Sequence, residues 1–197
     1  MNVPNATFTE RSWRVHEFTQ DFELEDVWAL PTPGGPGDLD RLVQQISGNA
    51  DEERDVKPSW IYRILFAIRL RIGGLLGMDQ GTSGVGERVG SLRERLPADL
   101  RDGLRGPDIQ GTPLTSVYQT DDEWVAEFAN STAHAILHIG WVEDGHAGCH
   151  GQMAVLVKPN GLFGKLYMRF IDPFRRWFIL PSLVRTIGQQ WRTPPST

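Results

Sequence analysis

The sequence predicts an α+β domain in which helices cover one face of an antiparallel sheet. Three observations predict it. Residues 114–158 divide into four runs of strand length, with turn signals between the last three. The side chains of those runs segregate into an apolar and a mixed face, as a one-sided sheet requires. The segment that follows carries apolar residues at helical spacing and needs an apolar partner, which the sheet face supplies. The length, 197 residues and 22.2 kDa, suits about one domain, read as residues 1–197 with 193–197 as a tail. Apolar residues make up 40% and charged residues 23%, a globular composition.

Taken in order, residues 13–30 read as an opening strand with Trp13, Val15, Glu17 and Thr19 on one face. The run Pro31-Thr-Pro-Gly-Gly-Pro-Gly37 breaks it, since three prolines and three glycines in seven residues make a loop. Asp38 then caps a first helix over 39–46. Residues 47–58 are acidic and polar and read as an exposed connection. Ser59 caps a second helix over 60–78, where Ile61, Ile64, Leu65, Ile68, Ile72, Leu75 and Leu76 recur at intervals of three and four. Residues 79–113 are the least legible part, with a short helical patch near 92–104. Their glycines do not follow the order of a phosphate loop.

Four strands follow over 114–119, 123–129, 132–142 and 148–158. Asn130-Ser131 is taken as a two-residue turn, which sets Glu127 opposite His134 and Glu123 opposite His138. A three-residue turn, Asp144-Gly-His146, sets Met153 and Val155 beside Leu137 and Ala135, and Gln152 beside His138. Pro159-Asn-Gly161 is a turn. Residues 162–171 and 174–188 then have helical spacing, with Phe163, Leu166, Tyr167, Phe170, Phe174, Trp177, Phe178, Val184, Ile187 and Trp191 as an apolar stripe that Pro173 and Pro181 should kink or split.

The apolar sheet face is small in side chain. Ala126, Ala133 and Ala135 sit between Trp124, Phe128 and Trp141, which leaves room for a directly packed helix or for a ligand. With Leu137, Met153 and Val155, and with Tyr118, Tyr167, Phe170 and Trp177, these residues form a candidate pocket for a mostly apolar molecule with a few polar groups. Trp28 and Trp60 are further candidates at its mouth.

The mixed face offers a different chemistry. His134 and His138 resemble a metal pair, but four residues along a strand span roughly 13 Å, and zinc ligands must converge within ~2.1 Å of one point. No metal or other cofactor is expected. The plainer reading is an outer polar face with Glu127–His134 and Glu123–His138 pairs across strands. Were that face enclosed, Glu123, His138 and Gln152 would form an acid–base row, because a carboxylate orients and charges an imidazole. Cys149 and His150 are strand neighbours on opposite faces and cannot form a dyad. Asp121, Asp122 and Glu123 read as a solvated turn.

One resemblance extends over most of the chain. The run Gln152-Met-Ala-Val-Leu-Val-Lys-Pro159-Asn-Gly-Leu162-Phe-Gly164, continued by Tyr167 and Pro173-Phe174, resembles the C-terminal signature of a bacterial domain-of-unknown-function family. That family is placed in the START/polyketide-cyclase-like (SRPBCC) superfamily. The stretches LEDVWALPTPGGPGD (24–38) and TDDEWVAEFAN (120–130) look like an actinobacterial branch, and 17 arginines against 3 lysines suit a GC-rich genome. The resemblance implies a helix-grip fold, a curved antiparallel sheet around a long C-terminal helix with two short helices near the N-terminus. It also implies a cavity between sheet and helix. It carries over no catalytic residue, and a fold does not imply a reaction.

Composition narrows the partners. A single cysteine excludes an intramolecular disulfide and CxxC chemistry. Arg63, Arg69 and Arg71 interrupt the longest apolar stretch, so no membrane span is expected. Residues 1–55 hold 12 acidic and 4 basic groups, whereas residues 158–197 hold 1 and 7. The opposed ends either attract each other in the folded chain or leave a basic end for an anionic surface. A pI near 5.5 and the lack of a binding motif argue against nucleic acid. The expectation is a cytoplasmic protein that binds an apolar or aromatic small molecule. A cyclase or isomerase of polyketide-like substrates and an interaction module with a self-filled core are the alternatives. The number of subunits is left open.

Overall fold

The computed structural model describes residues 1–48, 85, 89–129, 133–145, 148–161 and 175–192. Among these, β1 (Glu23–Ala29), β2 (Thr115–Gln119), β3 (Glu123–Ala129), β4 (Ala133–Glu143) and β5 (Cys149–Pro159) form one open antiparallel sheet in the order β1-β5-β4-β3-β2. The first strand therefore pairs with the last. Four helices accompany the sheet: α1 (Ala6–Thr9), α2 (Leu39–Ser47), α3 (Ala98–Asp102) and α4 (Leu180–Arg192). Two 3-10 turns, Arg14–Glu17 and Leu92–Arg95, and a wide π-helical turn, Arg175–Ile179, complete the described elements. The predicted helices over 60–78 and 162–171 lie outside the described residues, as do Trp60, Tyr167 and Phe170.

The opening strand is shorter than the sequence suggested. It begins at Glu23, and residues 14–17 curl into a 3-10 turn instead. Trp13, Val15 and Phe18 are all buried against the sheet, and the Arg14 amide is taken by a glutamate of β3. Tertiary contacts thus override a weak alternation. Helix α2 runs one residue past its predicted end and stops at Gly48, whose φ of 82° suits a residue without a Cβ. Asp38 precedes α2, but its carboxylate accepts the Gly35 amide (2.8 Å) and so folds the glycine-proline loop rather than capping the helix. Pro181 lies one residue inside α4. It has no amide hydrogen to donate back along the chain, and the wider turn lies just before it.

Both hairpins pair two residues further along than the predicted turns require. Ala129 faces His134, Val125 faces His138 and Glu123 faces Gly140. Leu137 faces Val155, and Gly140 faces Gln152. The predicted partnerships Glu127 with His134, Glu123 with His138 and Gln152 with His138 are therefore diagonal. Because side chains alternate with period two, a slip of two leaves every residue on its predicted face.

The larger correction concerns the mixed face, which is not an outer surface. One hydrophobic core lies between the sheet and α2 and α4, and includes Trp28, Leu42, Trp124, Ile139, Trp141, Met153, Ile187 and Trp191. A second core lies on the opposite face, where Phe8, Trp13, Val15, Phe18, Leu92, Leu96 and Leu100 cover Tyr118, Val125, Ile136 and Ala154. The N-terminal eighteen residues and the 92–100 segment therefore make a third layer.

Candidate functional site

On the α2/α4 face the pairing sets side chains in rows across the sheet. Trp28, Met153, Ile139 and Trp124 form one row, Asp26, Val155, Leu137 and Ala126 the next, and Glu23, Val157, Ala135 and Phe128 the third. The first row, with Trp141 and Cys149, is packed into the main core. In the other two rows Phe128, Ala135, Leu137 and Val155 are only half-buried, and Phe128 and Leu137 lie against the margin of that core. Two alanines, Ala126 and Ala135, keep this part low. The result is an apolar floor with polar groups at its edges. The Trp124 indole donates to Ser116 Oγ (2.9 Å) on one side, and Asp26 is paired with Arg176 (3.1 Å) on the other.

This arrangement sorts the predicted pocket residues. Phe128, Ala135, Leu137 and Val155 form the open floor, with Ala126 buried among them. Trp124, Trp141 and Met153 are fully packed at its closed end. Trp141 donates to Gly35 O (2.9 Å), so its indole serves the loop rather than a ligand. Two assignments need correction. Tyr118 lies in the opposite core, because a bulge between Ser116 and Tyr118 sets it across from Val125 instead of Trp124. Burial, then the neighbouring Glu123 carboxylate, push its phenol well above the ordinary tyrosine value. Trp177, 74% exposed, points to solvent. Asp26 was overlooked at the floor's edge. Its spacing of two from Trp28 was the available signal that both share a face.

The second face encloses the residues predicted as an acid–base row, and joins two of them, Glu123 and His138. His138 Nε2 lies 3.0 Å from Glu123 Oε2, and His134 Nε2 lies 2.9 Å from Glu127 Oε2. All four side chains are buried, as is Gln152. Each carboxylate has a further task. Glu123 accepts the Arg14 amide (2.8 Å), and Glu127 accepts the Leu92 amide (3.1 Å) together with the Ser91 hydroxyl. These are the first residues of the two 3-10 turns and their flank, so each glutamate reaches up from the sheet to cap a turn of the covering layer. Gln152 stands opposite Gly140 and donates to Thr7 Oγ1 (3.2 Å). The histidines bind separate carboxylates rather than converging on one point. The row therefore fastens the covering layer and does not open onto the floor.

A five-stranded antiparallel sheet with a C-terminal helix and an enclosed polar face defines an α+β protein built on a covered open sheet. The chain belongs to the protein family of unknown function DUF2867, whose model matches residues 18–182. No curated protein and no solved structure matches the chain. No helix among the described residues is long and apolar enough to cross a membrane.

Proposed function

We propose that this protein binds a medium-sized apolar or aromatic molecule on the floor formed by Phe128, Ala135, Leu137 and Val155. The observation that carries this reading is the contrast in burial between the two faces of the same strands. Ile136 and Glu127 are sealed beneath the third layer, whereas their neighbours Ala135, Leu137 and Phe128 are half-open. An apolar surface of this kind, edged by a few polar groups, suits a ligand of matching character. The pairing of the first strand with the last, and a C-terminal helix packed on one face, support a place in the START/polyketide-cyclase-like helix-grip superfamily. Burial of the Glu123–His138 pair on the other face weighs against an enzyme that uses that row.

The test is a fluorescence titration with N-phenyl-1-naphthylamine, an apolar reporter. Saturable binding is expected for the native chain and is lost in Ala135→Trp, whose indole occupies the floor while the thermal transition is kept. Unsaturable binding, or a variant that binds as well as the native chain, overturns the reading.

A further inference from the structure

The N-terminal residues make a strap across the second face of the sheet. Residues 1–3 lie along β1, where Val3 N donates to Val27 O (3.0 Å) and Ala29 N donates to Met1 O (2.8 Å). Helix α1 and the 3-10 turn at Arg14–Glu17 then press Phe8, Trp13, Val15 and Phe18 onto the second core. One fully buried histidine lies beneath the strap. The rings of Phe8 and Trp13 each meet His138 edge-on at 5.0 Å. The fit is close, since a Cβ on Gly140 would come within 2.6 Å of the Trp13 ring.

His138 is 0% exposed, and only one of its ring nitrogens is hydrogen-bonded. Nε2 meets Glu123, while Nδ1 has no hydrogen-bond partner. A neutral ring that donates from Nε2 fits this environment. A second proton would place a charged N–H at Nδ1, inside a cover of indole and phenyl rings. Burying such a donor without an acceptor is costly. The strap supplies the cover, and its Arg14 amide shares the same glutamate, so lifting the strap is the local movement that brings the ring to solvent.

We propose that residues 5–18 form a proton-released strap, closed over a neutral His138 and lifted when that histidine gains its second proton. The groups that face it set the direction. Glu123 and Asp122 favour the charged ring, and His16 of the strap opposes it. The Arg14 guanidinium is turned aside to Glu17 and Asp99. Gln152 on the adjacent β5 and Tyr118 on β2 are neutral. Burial outweighs the carboxylates and pushes the His138 imidazole below the ordinary histidine value. With the strap lifted the burial that lowers it is removed, and the value rises back towards the ordinary histidine one. Protons therefore bind the lifted state more tightly, and release grows as pH falls below that point and is absent above it.

Amide hydrogen exchange followed by NMR, corrected for the intrinsic effect of pH, tests this at about pH 7.5 and about pH 5.5. At the lower pH, protection at Phe8, Arg14, Val15 and Phe18 should fall at least about tenfold more than at Ile136, Ile139 and Ala154. In His138→Gln that difference should vanish. A uniform loss across strap and sheet, no loss, or an acid response that persists in His138→Gln overturns the proposal. Should the variant fail to fold, the native chain decides by itself: the His138 ring and the strap amides must titrate together, and a ring that titrates beneath an unchanged strap overturns it.

Discussion

Glu127 shows how much of this molecule rests on single side chains. Its carboxylate receives His134 from the neighbouring strand and the Leu92 amide, both buried, and the half-buried Ser91 hydroxyl. Removing it leaves two buried polar groups, the His134 ring and the Leu92 amide, without their acceptor. Glu127→Ala should therefore cost about 3 kcal/mol or more of stability, read from the urea midpoint at neutral pH, while Glu127→Gln retains part of the acceptor set and costs less. The residues of this cluster were legible in the sequence as an alternating Glu/His pattern. Their enclosure was not, because the groups that enclose them, Phe8, Trp13 and Leu92, lie far away along the chain and carry no local sign of their destination. Tyr118 was misplaced for a related reason. A bulge in an edge strand alters one residue's face without altering composition.

At the scale of elements, the end of α4 is tied to the glycine-proline loop. The Trp191 indole donates to Pro33 O (2.9 Å), the Arg41 guanidinium stacks 4.0 Å above the Trp191 ring, and Arg41 also donates to Trp191 O (3.1 Å). Gln45 donates from α2 to Ile187 O (3.1 Å), which makes α2, the loop and α4 one unit. Trp191→Ala removes the ring that joins them, and a loss of about 3–5 kcal/mol is expected in thermal or urea unfolding. Elements themselves were read well where periodicity was strong. The strand over 123–129 appears with its predicted bounds, and α2 exceeds its prediction by one residue. Register was read less well, since turn length depends on backbone geometry that residue identity constrains weakly. The faces survived because both slips were even.

For the molecule as a whole, the three layers decide which exposed features matter to folding. Among the described residues Trp177 is the largest apolar side chain left in solvent, and it is in neither described core. Trp177→Ala should leave the unfolding midpoint unchanged to within about 0.5 kcal/mol, a sharp contrast with Trp191 on the same C-terminal segment. The sequence by itself determined the α+β class, the strand set, the separation of an apolar from a mixed sheet face, and the small alanines that keep part of the apolar face low. These follow from local periodicity and side-chain size, which any stretch of chain displays. Only the tertiary structure decided that the mixed face is buried, that its glutamates cap distant turns, and that Tyr118 and Trp177 lie away from the floor. Burial of the mixed face in particular depends on residues brought together from far along the chain, such as Arg14 and Glu123, 109 positions apart. Contacts of that kind arise from competition among all buried surfaces at once, and no single segment records the result.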